Sequence, residues 1–353
     1  GGWTFQRVLY AYLYDRERQC WNLRFRVMWQ DVPGKDEARL LFAQQTAQLL
    51  VRIAGVMQAY TDLTPRFSED GVVNVWLTEK GEPGGESLDQ QIYLYNIGTP
   101  RSAAEWVREL AHEYGHQTLP PVGGYDQPEW GASGLLGEQL LLRWLTLNPD
   151  AAAEESHPWV RTLDPIDVST TRINPLIRQF ANLGPNAPQW RGTDAAAMDG
   201  YLGMALYLEQ ARGSRYLALV LNKWMTSPTF AGTNGFLQSV SDLEEHVQSI
   251  DHPVVLLRLG ELPRDIPYYV YLSKGSWNGE LQGQDLAPTK VKCTLDGKAL
   301  PLDAQGKFSA GDLTTGWHTF RVNVVADVAD PELTALKLSK QAIADVVVPQ
   351  AAP

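Results

Sequence analysis

Hydrophobic and polar positions alternate along 22–29, where Leu23, Phe25, Val27 and Trp29 interleave with Asn22, Arg24, Arg26 and Met28. That period of two predicts a half-buried strand, ended by Pro33-Gly34. The period then lengthens. Leu40, Ala43, Ala47, Leu50, Ala54 and Met57 recur at spacings of three and four over 36–60, which predicts a helix with Asp36 and Glu37 at its positive N-terminal end. Two short strands follow at 72–77 and 91–96, separated by a loop holding Gly81, Pro83, Gly84 and Gly85.

Ser102 and Glu105 then form a Ser-x-x-Glu capping box, and Trp106, Val107, Leu110 and Tyr114 make the apolar stripe of a helix that ends before Pro120-Pro121. After a Gly/Pro-rich loop over 119–134, a further helix runs over 135–147 to Asn148-Pro149, with others at 194–209, 214–225 and 235–247. Beyond Pro263 the pattern changes to short strands at 268–272, 291–295, 298–302 and 318–325. Asp296-Gly297 between two of them is a hairpin signal, because both turn positions want positive φ. The strand spacing predicts a small β-sandwich. The expected division is therefore 1–262, with a strand-and-helix part to 148 and a helical part from 149, followed by an all-β unit over 263–353.

Composition narrows the function classes. Thirty basic and forty-one acidic residues give a net charge of −11, which repels phosphate backbones and argues against nucleic-acid and anionic-membrane partners. No membrane span is expected, since no apolar run approaches the ~18–20 residues one needs. Cys20 and Cys293 are too far apart in sequence for a Cys-x-x-Cys metal site; two unpaired buried thiols are expected, with a long-range disulfide as the alternative. Twelve tryptophans and fourteen tyrosines are expected mainly to fill cores, the alternative being a sugar-binding surface.

The chemistry concentrates in the capped helix. His112-Glu113-Tyr114-Gly115-His116 is a His-Glu-x-x-His pattern, and positions i and i+4 share a helix face, so both imidazoles can reach one ion. Glu113, turned about 100° from His112, points beside that ion and can take a proton from a metal-bound water. Catalytic zinc keeps three protein ligands and one open position, so a third ligand is needed. The metzincin arrangement is excluded, because Leu119 and Val122 stand where its glycine and third histidine would be. Asp126, Glu129 and Glu138 are the acidic candidates. Glu138 shares angular register with Leu135, Leu141, Leu142 and Leu145, so its carboxylate faces inward, where an ion would offset the cost of burying it. It is the expected third ligand, ahead of Glu129 and then Asp126; the other reading of Glu138 is a buried pair with an arginine such as Arg143 or Arg172.

Over about 20–225 the order strand, helix, strands, His-Glu-x-x-His helix, glutamate helix resembles the gluzincin zinc peptidases, the thermolysin-like and aminopeptidase-like clan. Many members carry Trp-x-x-Glu-Gly at the second helix; here the stretch reads Trp130-Gly131-Ala132-Ser133-Gly134, with Ser133 where the ligand would stand. The resemblance implies a zincin-like metallopeptidase domain of α+β class, one catalytic Zn2+ on His112, His116 and Glu138, and Glu113 as general base. A tyrosine before a Gly-rich helix is a further family feature, and Tyr201 in Tyr201-Leu202-Gly203 is the expected oxyanion donor, the alternative being half-buried packing.

Peptide or protein substrates, glycosylated ones included, would pair with the 91–96 strand as an exposed edge. The C-terminal strands resemble immunoglobulin-like modules of secreted bacterial enzymes, which implies a secreted or periplasmic location. The alternative function is a peptidase-like scaffold without turnover that binds proteins or glycans, motivated by Ser133. A glycosidase finds no paired-acid motif of comparable specificity.

Overall fold

The computed structural model describes residues 7–16, 18–61, 65, 71–120, 132–148, 157–225, 232–246, 254–258, 267–272, 274–284, 290–324 and 335–340. The chain divides into two compact units, Gly1–Leu176 with Thr193–Leu202, and Ile177–Gly192 with Gly203–Pro353. Helices and sheets are mixed, compatible with an α+β class.

In the first unit, β1 (Arg7–Asp15) and β2 (Cys20–Trp29) form an antiparallel hairpin, and helix α1 (Asp36–Thr61) carries the chain to β3 (Val73–Leu77), which lies parallel to β2. β4 (Gly84–Leu88) and β5 (Gln91–Tyr95) complete a five-stranded sheet in the order β1-β2-β3-β5-β4. The alternation read in β2 holds, since Phe25, Val27 and Trp29 are buried and continue into a layer with Val73, Val75, Leu77, Ile92 and Leu94. α1 packs on β1 and β2, and of its predicted stripe Ala43, Ala47, Leu50, Ala54 and Met57 are buried whereas Leu40 is exposed. Contrary to the expectation of no such stretch, α1 is long and apolar enough by length and composition to cross a membrane.

Two expectations about this sheet are corrected. The stretch expected as a Gly/Pro loop contains β4, joined to β5 through a turn with Asp89 at φ +51°. The 91–96 segment is consequently an interior strand, β5, between β3 and β4, and the edge is β4. Glycine is depleted in strands, so Gly84-Gly85 hides β4 from a propensity reading. The reason for glycine is the helix that follows, α2 (Ala103–Thr118): a Cβ on Gly85 would stand 2.7 Å from Glu109 Oε1 and from both Cγ and Oε1 of Glu113.

α2 has the capping box that its sequence announces. Glu105 N donates to Ser102 Oγ at 3.2 Å, and Ser102 N donates to Glu105 Oε2 at 2.7 Å, so two backbone donors at the helix start are satisfied. Helix α3 (Ser133–Leu147) crosses it at glycine. A Cβ on Gly137 would lie 2.5 Å from Gly115 Cα, and one on Gly115 would lie 2.6 Å from the Ser133 carbonyl oxygen. Only glycine at both positions lets the backbones touch, and that contact delivers the first turn of α3 onto the histidine-bearing face of α2.

The second unit holds helix α4 (Asn174–Leu183) from Ile177 onward, the later turns of α5 (Ala195–Arg212), and helices α6 (Ser214–Met225) and α7 (Gly232–His246). Strands β6 (Val254–Arg258), β7 (Pro267–Leu272), β8 (Gly275–Gln284), β9 (Val291–Leu295), β10 (Lys298–Leu300), β11 (Lys307–Leu313), β12 (Gly316–Val324) and β13 (Ala335–Lys340) follow. They form two four-stranded antiparallel sheets, ordered β10-β9-β12-β7 and β11-β8-β13-β6. Trp277 of β8 meets Phe308 of β11 and Phe320 of β12 at ring-centroid distances of 4.8 and 5.7 Å, which joins the two sheets through one aromatic cluster. The Asp296-Gly297 hairpin forms with φ of +49° and +77°. Both cysteines are free; Cys293 is buried as expected, whereas Cys20 is half-buried.

Candidate metal centre

His112 and His116 lie one turn apart on α2, with ring centroids 5.0 Å apart and Nε2 atoms 3.3 Å apart. Two nitrogens bound tetrahedrally to one zinc at ~2.0–2.1 Å stand about 3.3–3.4 Å apart, so the pair has the bite of a two-nitrogen ligand set. Burial holds the His112 pKa below its ordinary value; Glu138 and Glu109 oppose that shift and Arg108 adds to it. The neutral ring this favours is the form that ligates a metal. Glu113 is buried beside the pair, packed under the edge strand at Gly85.

The first turn of α3 shapes the other side. A Cβ on Gly134 would come within 2.5 Å of Nε2 on both histidines, so the absence of a side chain there leaves the space in which the two nitrogens converge. Ser133 is buried, and its Oγ lies 2.9 Å from His116 Nδ1. With the ring proton on Nδ1, the serine oxygen accepts it and the Nε2 lone pair points into the glycine-lined space. The donors and the cradle fit a divalent ion at two nitrogens.

Glu138, the expected third ligand, is not brought into this set. Its Oε1 accepts from Arg108 Nε at 2.5 Å and from Arg172 Nη1 at 3.0 Å, with the carboxylate side chain only 5% exposed. The inward register was right and its compensation is cationic, the arginine pairing with Arg172 that the sequence left open. Among the described residues no three His, Cys, Asp or Glu side chains stand close enough together to hold one ion. Asp126 and Glu129 lie outside the described residues. Tyr201, expected as the oxyanion donor with packing as the alternative, is fully buried on α5.

Three residues that periodicity did not single out complete the surroundings. Arg108 precedes His112 by one turn, and Glu109 precedes Glu113 by one turn, so the i, i+4 rule that paired the histidines could have placed both. Glu109 Oε2 accepts from Arg101 Nη2 at 2.8 Å, and Arg101 lies over the Trp106 ring at 4.7 Å. Arg101, Glu105, Arg108, Glu109, His112 and Glu138 line a cavity of about 220 Å³ beside the histidine pair.

No known family profile matches the chain, and no curated protein matches it in sequence. Among solved structures it is similar to the aminopeptidase A of Legionella pneumophila in complex with aspartic acid. The identity is 13%, over 89% of this chain and 36% of that one, with a TM-score of 0.37. The chain thus spans about a third of that structure's length.

Proposed function

We propose that this protein is a zinc-dependent peptidase in which His112 and His116 hold the ion and Glu113 is the general base. The observation that carries the reading is the 3.3 Å Nε2 separation over the space left by Gly134, with buried Glu113 one residue from His112. When bound, the ion supplies Lewis acidity to the attacking water and the scissile carbonyl. Ser133 orients the His116 ring. Glu113 takes the proton of the attacking water and passes it to the leaving nitrogen, so the C–N bond breaks as the hydroxyl joins the acyl carbon. β4, the edge strand above Glu113, offers its main chain to an extended peptide.

The test is metal content together with hydrolysis of labelled peptides, comparing the untreated chain, the chelator-treated chain and Glu113→Gln. The reading expects about one zinc per chain, loss of hydrolysis on chelation, and a Glu113→Gln variant that keeps its zinc while losing turnover by ~100-fold or more. Hydrolysis indifferent to both treatments overturns it.

A second reading, a peptidase-like scaffold that binds proteins or glycans without turnover, is favoured by the commitment of Glu138 to two arginines. Stoichiometric zinc with equally negligible hydrolysis by wild type and Glu113→Gln would select it.

A further inference from the structure

We propose that the cavity beside His112 is a carboxylate-binding subsite built on Arg108, so that peptides acted on at this site carry an anionic group close to the cleaved bond. Cleavage of the bound peptide rests on the peptidase activity proposed above; the subsite itself rests on the donors and acceptors that line the cavity.

Every lining residue is charged or titratable, and their commitments are unequal. Glu138 accepts from two guanidinium groups. Glu109 is held by Arg101. Glu105 Oε2 accepts from both the backbone N–H and the hydroxyl of Ser102 at 2.7 Å, which fixes it at the helix cap. The three carboxylates are therefore each engaged. Arg108 is engaged at Nε alone; among the described residues neither of its terminal nitrogens has a protein partner, and its side chain is 34% exposed.

The placement of the donors points the same way. Glu138 faces two guanidinium groups, and with Arg172 also on its Oε1 the terminal nitrogens of Arg108 are left to face the cavity. The 2.5 Å bond to buried Glu138 anchors the guanidinium, so its ordering cost is met before a ligand arrives. A guanidinium fork with two free terminal nitrogens is shaped for a carboxylate, which it binds through two parallel N–H···O bonds. Arg108 stands one helical turn from His112, so a carboxylate bound there lies next to the reacting centre. An acidic side chain and a free C-terminal carboxylate present the same chemistry.

The experiment uses the full chain with matched peptides: Glu against Gln and Asp against Asn at each position near the cleaved bond, and free against amidated C-termini. Two readouts are taken, kcat/KM and the equilibrium Kd from calorimetry, for wild type, Arg108→Gln and Arg108→Lys. The expected result is a preference of roughly tenfold or more for the anionic member of one arm. The Glu/Gln and Asp/Asn arm identifies an acidic side chain, and the amidation arm a C-terminus. The preference falls to about one in Arg108→Gln and survives in part in Arg108→Lys, which retains charge without the fork. Equal binding of anionic and neutral members by wild type, or an undiminished preference in Arg108→Gln, overturns the subsite. Anionic preference in Kd with no hydrolysis of any peptide would overturn the peptidase reading and leave the subsite standing.

Discussion

Ser133 Oγ stands 2.9 Å from His116 Nδ1, so the first residue of α3 reaches across to orient a histidine of α2. A hydroxyl at that nitrogen can accept the ring proton, and with Nδ1 protonated the Nε2 lone pair faces the Gly134 cradle. Replacing Ser133 with alanine removes that contact to the ring. Loss of such an outer contact weakens zinc binding by ~10–100-fold. Competition against a chromophoric chelator measures this, and Ser133→Thr, which keeps the hydroxyl, should recover most of the affinity. An unchanged zinc Kd in Ser133→Ala would show that other contacts fix the ring.

Glu138→Gln separates two roles for one carboxylate. If arginine binding is its role, zinc stoichiometry is unchanged and stability falls, because Arg108 and Arg172 lose the anion between them. Both arginines are about a third exposed, so water screens part of the loss. The expected cost is about 1–3 kcal/mol, below that of a fully buried pair. Urea midpoints read the stability and elemental analysis reads the zinc. Zinc lost at unchanged stability would return Glu138 to the metal.

The helix-crossing glycines predict opposite phenotypes. A Cβ at Gly137 meets backbone, Gly115 Cα at 2.5 Å and the Ala111 carbonyl oxygen at 2.8 Å, which cannot swing aside. Gly137→Ala must push α2 and α3 apart and should cost about 1–3 kcal/mol. At Gly134 the obstructing atoms are the ring nitrogens of His112 and His116, which can rotate away. Gly134→Ala should therefore keep stability within about 1 kcal/mol, helped by the better helix propensity of alanine, while abolishing zinc binding. Equal stability losses in the two variants would remove the distinction between a packing glycine and a cradle glycine.

How much of this was legible depended on whether burial left a period. β2, α1 and α2 each bury one face, and their alternations or stripes place them within a few residues of their observed bounds. β1 shows no such contrast: Leu9, Ala11 and Leu13 face inward while Val8, Tyr10, Tyr12 and Tyr14 remain exposed, so both faces read as apolar. β4 and β8 are written in glycine and polar residues, whose strand conformation is imposed by neighbours. At the site, the i, i+4 histidines were legible because the helix alone brings them together. The fate of Glu138 was only half legible, since periodicity gives the direction of a side chain and not the identity of what meets it. Arg108 arrives from another helix and Arg172 from the short helical segment Ser169–Ile173, 34 residues later. The burial of Tyr201 was not legible for a related reason: α5 is buried at every position over 200–209, so its period there does not separate an inner from an outer face.

The two thiols differ in a way that pH can read. Cys293 is buried on β9, and that burial pushes its thiol from about 9 up to about 12; Cys20, at the start of β2, is half-buried. The thiolate is the reactive form, so one thiol per chain should react with a disulfide reagent in the native protein at pH 8 and two in guanidinium. The raised value also carries a sign for stability. Between about pH 9 and 12 the unfolded thiol has lost its proton while the native one retains it, so the unfolded state binds fewer protons and stability declines as pH rises. Cys293→Ala removes that contribution, and its unfolding midpoint should fall less steeply than wild type over pH 8–10. Parallel slopes for the two proteins, or two fast native thiols, would show that Cys293 is open to solvent.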